Sequence, residues 1–166
     1  MERFAKGKRS IVYKEGNTII KVEREETKAK GCLKNEARWL RILNTHHIGP
    51  RLLKHRGLKV YLEYIDGPPL VVWARTAEKH QLKKVLIALL RQCRTMDKLH
   101  VTKEEMHRPV KHALIRDNTV VLIDFERCRT TERPKNVTQV CQFLAHQFHI
   151  PGILAKAQSY KKTYTE

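Results

Sequence analysis

Acidic residues are scarce in this 166-residue chain: 17 aspartates and glutamates stand against 34 lysines and arginines, a formal net charge of +17. A chain with that imbalance attracts polyanions at low salt, whether RNA, DNA, acidic proteins or nucleotides. The charge alone does not choose among them, and a solvated basic surface has the same composition. Cysteine is sparser still. Cys32, Cys93, Cys128 and Cys141 include no Cys-x-x-Cys pair and no cysteine–histidine spacing that fits zinc. This argues against a disulfide framework or a zinc module and predicts reduced thiols. Long hydrophobic runs are missing as well. The longest, Val85 to Leu90, is far shorter than the roughly 20 residues a membrane span needs. The opening Met1-Glu2-Arg3-Phe4-Ala5-Lys6 has no apolar signal core. The expectation is a cytoplasmic protein with no membrane partner. There is no low-complexity segment and no internal repeat. What remains is 41% hydrophobic and 31% charged residues, the balance of one globular domain large enough to bury a core.

Along the chain the character changes near residue 65. Ser10–Lys14 and Thr18–Val22 are β-prone and flank the turn signal Glu15-Gly16-Asn17, which predicts a hairpin. From about Thr27 to Leu43 the apolar positions Leu33, Ala37, Leu40 and Leu43 take helical spacing, and Ile48-Gly49-Pro50 ends that stretch. Two more strands are predicted at Arg51–Lys54 and Leu58–Tyr64, with a turn at His55-Arg56-Gly57. Asp66-Gly67-Pro68-Pro69 then breaks the pattern. A long helix follows, roughly Thr76 to His100, whose apolar face runs from Leu82 to Leu99. After a polar loop, Thr102 to Lys111, two β-prone runs flank Arg116-Asp117-Asn118, and Asn136 to His149 reads as a last amphipathic helix. Strands and one helix followed by mostly helices give an α+β fold, with a small sheet part and a helical part.

Four features in this order suit phosphoryl transfer, which needs a loop over the phosphates, a cation to hold them, a carboxylate for magnesium and a group that orients the acceptor. Gly7-Lys8-Arg9-Ser10-Ile11-Val12-Tyr13 offers a glycine loop followed by a strand, though alone it also reads as an ordinary turn. Lys21 ends the apolar run Ile19-Ile20. Glu36 lies beside the helix stripe of Leu33, Ala37 and Leu40, and a carboxylate there invites a cationic partner. A Lys21–Glu36 pair would aim the lysine at phosphates; the alternative is two unrelated surface charges. Asp124 follows the apolar run Val120-Val121-Leu122-Ile123, which suits a rigidly held magnesium ligand and, alternatively, a turn cap.

Taken together, Gly-Lys-Arg-Ser-Ile-Val-Tyr (7–13), Ile-Ile-Lys (19–21), Asn-Glu-Ala (35–37), Ile-Gly-Pro-Arg-Leu-Leu (48–53), Leu-Glu-Tyr-Ile-Asp-Gly (62–67) and Ile-Asp-Phe-Glu (123–126) stand in kinase order. The set resembles the minimal atypical protein kinases: the RIO type, the kinase subunit of the KEOPS tRNA-modification complex, and above all small archaeal serine/threonine kinases predicted from sequence. The resemblance covers about residues 5 to 145. It implies a protein-kinase-like two-lobe fold, with an N-lobe over 1–65, a reduced C-lobe over 66–150 and a basic tail over 151–166. It implies ATP and magnesium, or manganese, as cofactors, and serine/threonine kinase activity that can include autophosphorylation. By the same resemblance Gly7, Ser10 and Val12 belong to the phosphate-covering segment and Lys21 contacts the α- and β-phosphates. Glu36 is its helix partner, Glu63 and Ile65 lie in the hinge that holds adenine, and Asp124 binds the metal. The protein acceptor is not specified.

The catalytic loop departs from that pattern. Kinases of this type carry a His-x-Asp followed five residues later by asparagine. Here the best match puts Glu105 at the aspartate, 19 residues before Asp124, and the position five residues on is Val110, followed by Lys111. Glutamate can still orient a hydroxyl and accept its proton, and Lys111 can supply fixed positive charge in place of one metal ion. His107 is a rival base or an exposed loop residue, and Arg108 is a phosphate contact or a solvated one. Glu105, Arg108, Pro109, Lys111 and His112 resemble the Glu-x-x-Arg-Pro-x-Lys-His arrangement of the small archaeal set, but Lys103 stands where a histidine is expected. The altered loop and the charge together leave a second expectation, a nucleotide-binding pseudokinase that serves as a scaffold in an RNA-associated complex. A phosphotransferase for small molecules ranks behind both, because it needs further helices to build an acceptor pocket.

Overall fold

A computed structural model describes residues 2–26, 29–107 and 109–163. In chain order its elements are β1 (Glu2–Lys6), β2 (Ser10–Glu15), β3 (Thr18–Glu23), α1 (Cys32–Leu43), β4 (Leu52–Arg56), β5 (Lys59–Glu63), α2 (Leu70–Trp73), α3 (Lys79–Lys98), β6 (Val101–Thr102), β7 (Ala113–Arg116), β8 (Thr119–Leu122), β9 (Arg129–Thr130), α4 (Asn136–Phe148) and α5 (Ile153–Thr163). The fold is α+β. Strands β1 to β5 make one antiparallel sheet in the order β1-β2-β3-β5-β4, and two small pairs, the long-range ladder β6–β9 and the hairpin β7–β8, stand apart from it.

Alternation sets which side chains share a sheet face. Val12 is in register with Lys21, and Ile19 with Leu62, so these four lie on one face, while Ile20 turns to the other and is buried. Helix α1 packs against β3, β4 and β5. It begins at Cys32, later than its apolar spacing suggested, and the chain supplies no serine, threonine or aspartate cap there. Instead Gly31 takes a left-handed conformation, and the buried Glu23 carboxylate accepts from the Gly31 N–H at 2.7 Å and the Leu33 N–H at 3.1 Å. A carboxylate from β3 thus satisfies N-terminal donors and meets the positive end of the helix. Thr27, where the sequence first suggested the helix, lies outside the described residues. The β4–β5 turn also moves. Strand β4 continues through His55 and Arg56, and the turn falls at Gly57-Leu58.

One contiguous core joins the sheet side to the helices, running from Leu33, Leu40 and Leu43 of α1 through Leu89, Cys93 and Met96 of α3 to Phe125, Val140 and Leu144. The crossing at Asp66–Pro69 is pinned to the β7–β8 hairpin. The Ile115 N–H donates to the Pro68 carbonyl at 2.9 Å, and a β-carbon on Gly67 would lie 1.9 Å from the Ile115 carbonyl oxygen. Only glycine fits at so close a backbone approach. The hairpin turn Asp117-Asn118 has φ of 50° and 55°, the conformation that a two-residue antiparallel turn of type I′ requires. All four cysteines are free, and three are buried. Residues 153–163, expected as part of a basic tail, form α5, which packs on α4 and buries Ala157. Among the described residues no helix is long and apolar enough to cross a membrane.

Candidate functional site

The pair that the sequence singled out is formed. Lys21 Nζ donates to both oxygens of Glu36, at 2.8 and 2.9 Å, and to Asp124 Oδ1 at 3.3 Å. Glu36 has no exposed surface. Burial on its own would lower the Lys21 pKa, but the Glu36 and Asp124 carboxylates outweigh it and the net shift is upward, so the ammonium is fixed. Burial likewise opposes ionisation of Asp124. The charges of Lys21 and Lys103, with the bond from Lys21, override it and hold that carboxyl below its ordinary value.

Helix α1 presents Asp124 to Lys21. Its Glu36 Oε1 also accepts from the Phe125 N–H at 3.1 Å. Asn35 Nδ2 donates to the carbonyls of Glu126 and Cys128, and Trp39 Nε1 donates to the Cys128 carbonyl. Three side chains of one helix therefore clamp residues 125–128, and Asp124 at their head has a left-handed φ of 67°. A non-glycine residue held there marks a place where the surroundings over-determine the backbone. Glu105 has the same φ, 67°.

Lys21, Asp124 and Glu126 border a cavity of about 650 Å³, which Glu36 supports from behind without lining it. Gly7, Ser10, Val12, Lys21, Glu63, Ile65, Lys111 and Asp124 all line it. Val12 and Ile19 face it from the sheet, Leu114 and Ile123 from the β7–β8 side, so it has two apolar walls and a charged end. Gly7 turns the β1–β2 loop through a hydrogen bond from its N–H to the Ser10 carbonyl at 2.9 Å. Glu63 is tied to Arg116 at 3.2 Å and more loosely to Arg51 at 3.6 Å, so its carboxylate is engaged, and among the described residues nothing accepts from the Ile65 N–H. Lys111, on a 3₁₀ turn Pro109–Lys111, is exposed at the cavity mouth.

Glu105 is not brought to that cavity. Its Oε1 accepts from Arg127 Nη1 at 2.7 Å, and Arg127 also pairs with Glu104. It lines a separate recess of about 10 Å³ with Lys103, His112 and Asp124. His107 is exposed and borders a different groove, beside α4 and α5. Arg108 lies outside the described residues.

Three side chains went without a role in the sequence reading. Arg9, on the glycine loop, donates to Glu126 Oε1 at 2.9 Å across the cavity and closes its charged end. His112 stands between the two loop carboxylates, Nε2 3.6 Å from Asp124 Oδ2 and Nδ1 3.8 Å from Glu105 Oε2. Burial and the nearby Lys103 charge lower its pKa, and its Nδ1 is buried without a hydrogen bond. Asp97, fully buried in α3, accepts from the Asn136 N–H and Nδ2, the Val137 N–H and the Tyr160 hydroxyl. Asn136 in turn holds the Lys103 N–H at 2.8 Å, so this cluster anchors the start of the loop that carries Glu105. The sequence pattern Asp-Phe-Glu could have flagged Glu126, and His112 closes the Glu-x-x-Arg-Pro-x-Lys-His arrangement, but Arg9 and Asp97 have no local signature.

Among the described residues no group of three or more histidine, cysteine, aspartate or glutamate side chains could hold a metal ion by itself. Asp124 and Glu126 still fit magnesium, which takes one or two carboxylates and fills its remaining positions with water and substrate oxygens. The arrangement suits a ligand with a flat apolar body and an anionic tail. The chain matches no family model, and no curated protein matches it either.

Proposed function

We propose that the chain is an ATP-dependent phosphotransferase with a protein-kinase-like two-lobe fold, divided near residue 65, that acts on serine or threonine hydroxyls of a protein and includes itself among its acceptors. The observation that carries this is the triple contact of Lys21 with Glu36 and Asp124 at the charged end of the 650 Å³ cavity. Adenine suits the gap between Val12 and Ile19 on one wall and Leu114 and Ile123 on the other, with the unengaged Ile65 N–H at its edge. Lys21, kept charged, would hold the inner phosphates, and the loop at Gly7 would cover them. Lys111 would add charge at the open end, where the terminal phosphate leaves. Asp124, with Glu126, would hold magnesium or manganese, which neutralises charge on the phosphate oxygens. In the transfer, the acceptor oxygen bonds to the γ-phosphorus, the bond to the β–γ bridging oxygen breaks, ADP departs, and the hydroxyl proton passes to Glu105.

A second reading is favoured by one observation. Glu105 is bound to Arg127 rather than directed at the cavity, and Val110 and Lys111 offer no second metal ligand. On that reading the chain binds the nucleotide without turnover and serves as a scaffold in an RNA-associated assembly. Incubation with γ-labelled ATP and magnesium or manganese separates the two. Transfer that falls at least a hundredfold in Asp124→Ala supports the enzyme. Equal labelling of wild type and Asp124→Ala overturns it. Thermal stabilisation by ATP with no transfer selects the scaffold.

A further inference from the structure

The buried face of α3 is built from Val85, Leu86, Leu89, Cys93 and Met96. At 100° per residue, Lys84, Ile87, Arg91, Arg94 and Lys98 fall on the opposite side, and all five are exposed. Exposed Lys79 and Lys83 flank the stripe, and His80 extends it by one turn. From Lys84 to Lys98 it runs about 21 Å at 1.5 Å per residue.

A solvated helix usually alternates signs, with a carboxylate three or four residues from each cation. This one does not. No carboxylate lies on its outer face, because Asp97 is buried and Glu78 sits at the N-cap, paired with His80. Among the described residues Lys83, Lys84, Arg91, Arg94 and Lys98 form no ion pair. Lys79 with Lys83, Arg91 with Arg94 and Arg94 with Lys98 are like charges at mutually repelling positions. Lys79 also sits in the first turn, where the helix dipole repels cations and where there is no acidic residue, whereas Lys98 in the last turn meets the favourable end. The helix thus keeps a row of charges that repel one another, on a face that nothing among the described residues covers.

We propose that this face of α3 docks the phosphodiester backbone of a nucleic acid. Its length matches about six successive phosphates of one duplex strand. Lysine and arginine aligned along one helix, without interleaved acids, are the footprint that such a backbone complements. No α3 residue lines the 650 Å³ cavity, so the inference stands independently of the phosphotransfer reading.

The test uses the full chain and fluorescently labelled 20-base-pair RNA and DNA duplexes, titrated between about 50 and 200 mM salt. The variant Lys84→Gln/Arg91→Gln/Arg94→Gln/Lys98→Gln removes four charges with a residue that keeps helix propensity. A control of equal charge change, Arg41→Gln/Lys54→Gln/Arg56→Gln/Lys59→Gln, alters exposed cations elsewhere. Thermal melting verifies that both fold, and Lys84→Gln/Arg91→Gln alone serves if the quadruple variant does not. Wild type should bind with a steep salt dependence. The stripe variant should weaken binding at least tenfold at the lower salt and shallow the log–log slope by about three to four, near 0.9 for each phosphate no longer neutralised. The control should change both by less than half as much. The proposal is overturned if wild type binds neither duplex, if the control costs as much as the stripe variant, or if polyglutamate of equal charge displaces the duplex at equal concentration.

Discussion

Lys103 Nζ lies 5.3 Å from the centre of the Phe125 ring, in a residue only 2% exposed. No hydrogen bond reaches that ammonium among the described residues; the ring face and the more distant charges of Asp124 and Glu36 are its compensation. Burial is the main influence on its pKa, which it lowers from the ordinary lysine value. The folded state therefore binds this proton less tightly than the unfolded state does. The destabilisation is complete below the folded pKa and is relieved as pH rises from there toward the unfolded value. Lys103→Met should raise stability at pH 7 by about 1–3 kcal/mol, the order of the cost of an unpaired buried polar group. It should also flatten the gain in stability that wild type shows on the alkaline side. Urea denaturation at several pH values checks both. A variant less stable than wild type at pH 7 would mean that the ring and the carboxylates outweigh burial.

The Lys21–Glu36 pair behaves differently, because each ion has its counter-charge. Glu36→Gln leaves a buried ammonium short of a partner and weakens the bond to the Phe125 N–H, so a loss of about 3–5 kcal/mol is expected. Lys21→Met strands a fully buried carboxylate. The two changes together should cost less than their sum by about 1–3 kcal/mol. Denaturation of the four proteins of the cycle measures the difference, and strict additivity would show that the 2.8 Å pairing carries no coupling.

Gly67 is a purely steric case. Its missing β-carbon would stand 1.9 Å from the Ile115 carbonyl oxygen, a backbone atom that cannot rotate aside. Gly67→Ala should lose more than about 2 kcal/mol, by separating the crossing segment from β7. Gly16→Ala is the comparison: φ there is +53° and nothing lies within 4 Å, so the cost is the conformational one of about 1 kcal/mol. Equal losses in the two variants would remove the close approach as the cause.

The parts legible in the sequence were those with a local period or a short motif. Thr18-Ile19-Ile20-Lys21-Val22 is rich in β-branched residues as a strand is, Leu33, Ala37 and Leu40 place Glu36 on one helix edge, and an apolar run ends in Asp124; the structure brings Lys21, Glu36 and Asp124 together. Strand β1 escaped because Glu2-Arg3-Phe4-Ala5-Lys6 is exposed throughout and has no face to pattern. Helix α5 escaped because its packing on α4 rests on Ile153, Ala157 and Tyr160 amid lysines. Arg9 meets Glu126 across 117 residues and Asp97 meets Asn136 across 39. Neither partner leaves a trace in the other's neighbourhood, so only the folded chain reveals them. The same holds for α3. Its apolar stripe was plain, whereas the meaning of its outer face depends on knowing that nothing covers it.

Glu105 and Asp124 should separate binding from chemistry. Asp124 touches Lys21 and lines the cavity, whereas Glu105 lies beyond His112 and is held by Arg127. If Glu105 receives the acceptor proton, it must leave Arg127 to do so, and its own loss removes an interaction made only with the acceptor. Glu105→Gln should then lower phosphate transfer by about 10²- to 10⁴-fold, the range for a general base, while the thermal stabilisation by ATP and magnesium stays within a degree of wild type. Asp124→Asn should abolish transfer and also remove most of that stabilisation. Arg127→Ala, which frees Glu105 without touching the cavity, should leave nucleotide binding intact and raise or preserve the rate at saturating ATP. Melting curves with and without nucleotide, run beside labelled-phosphate assays, give all six values. Transfer that survives in Glu105→Gln but fails in Arg127→Ala would reverse the assignment, making the guanidinium the group that meets the acceptor and Glu105 merely its counter-ion.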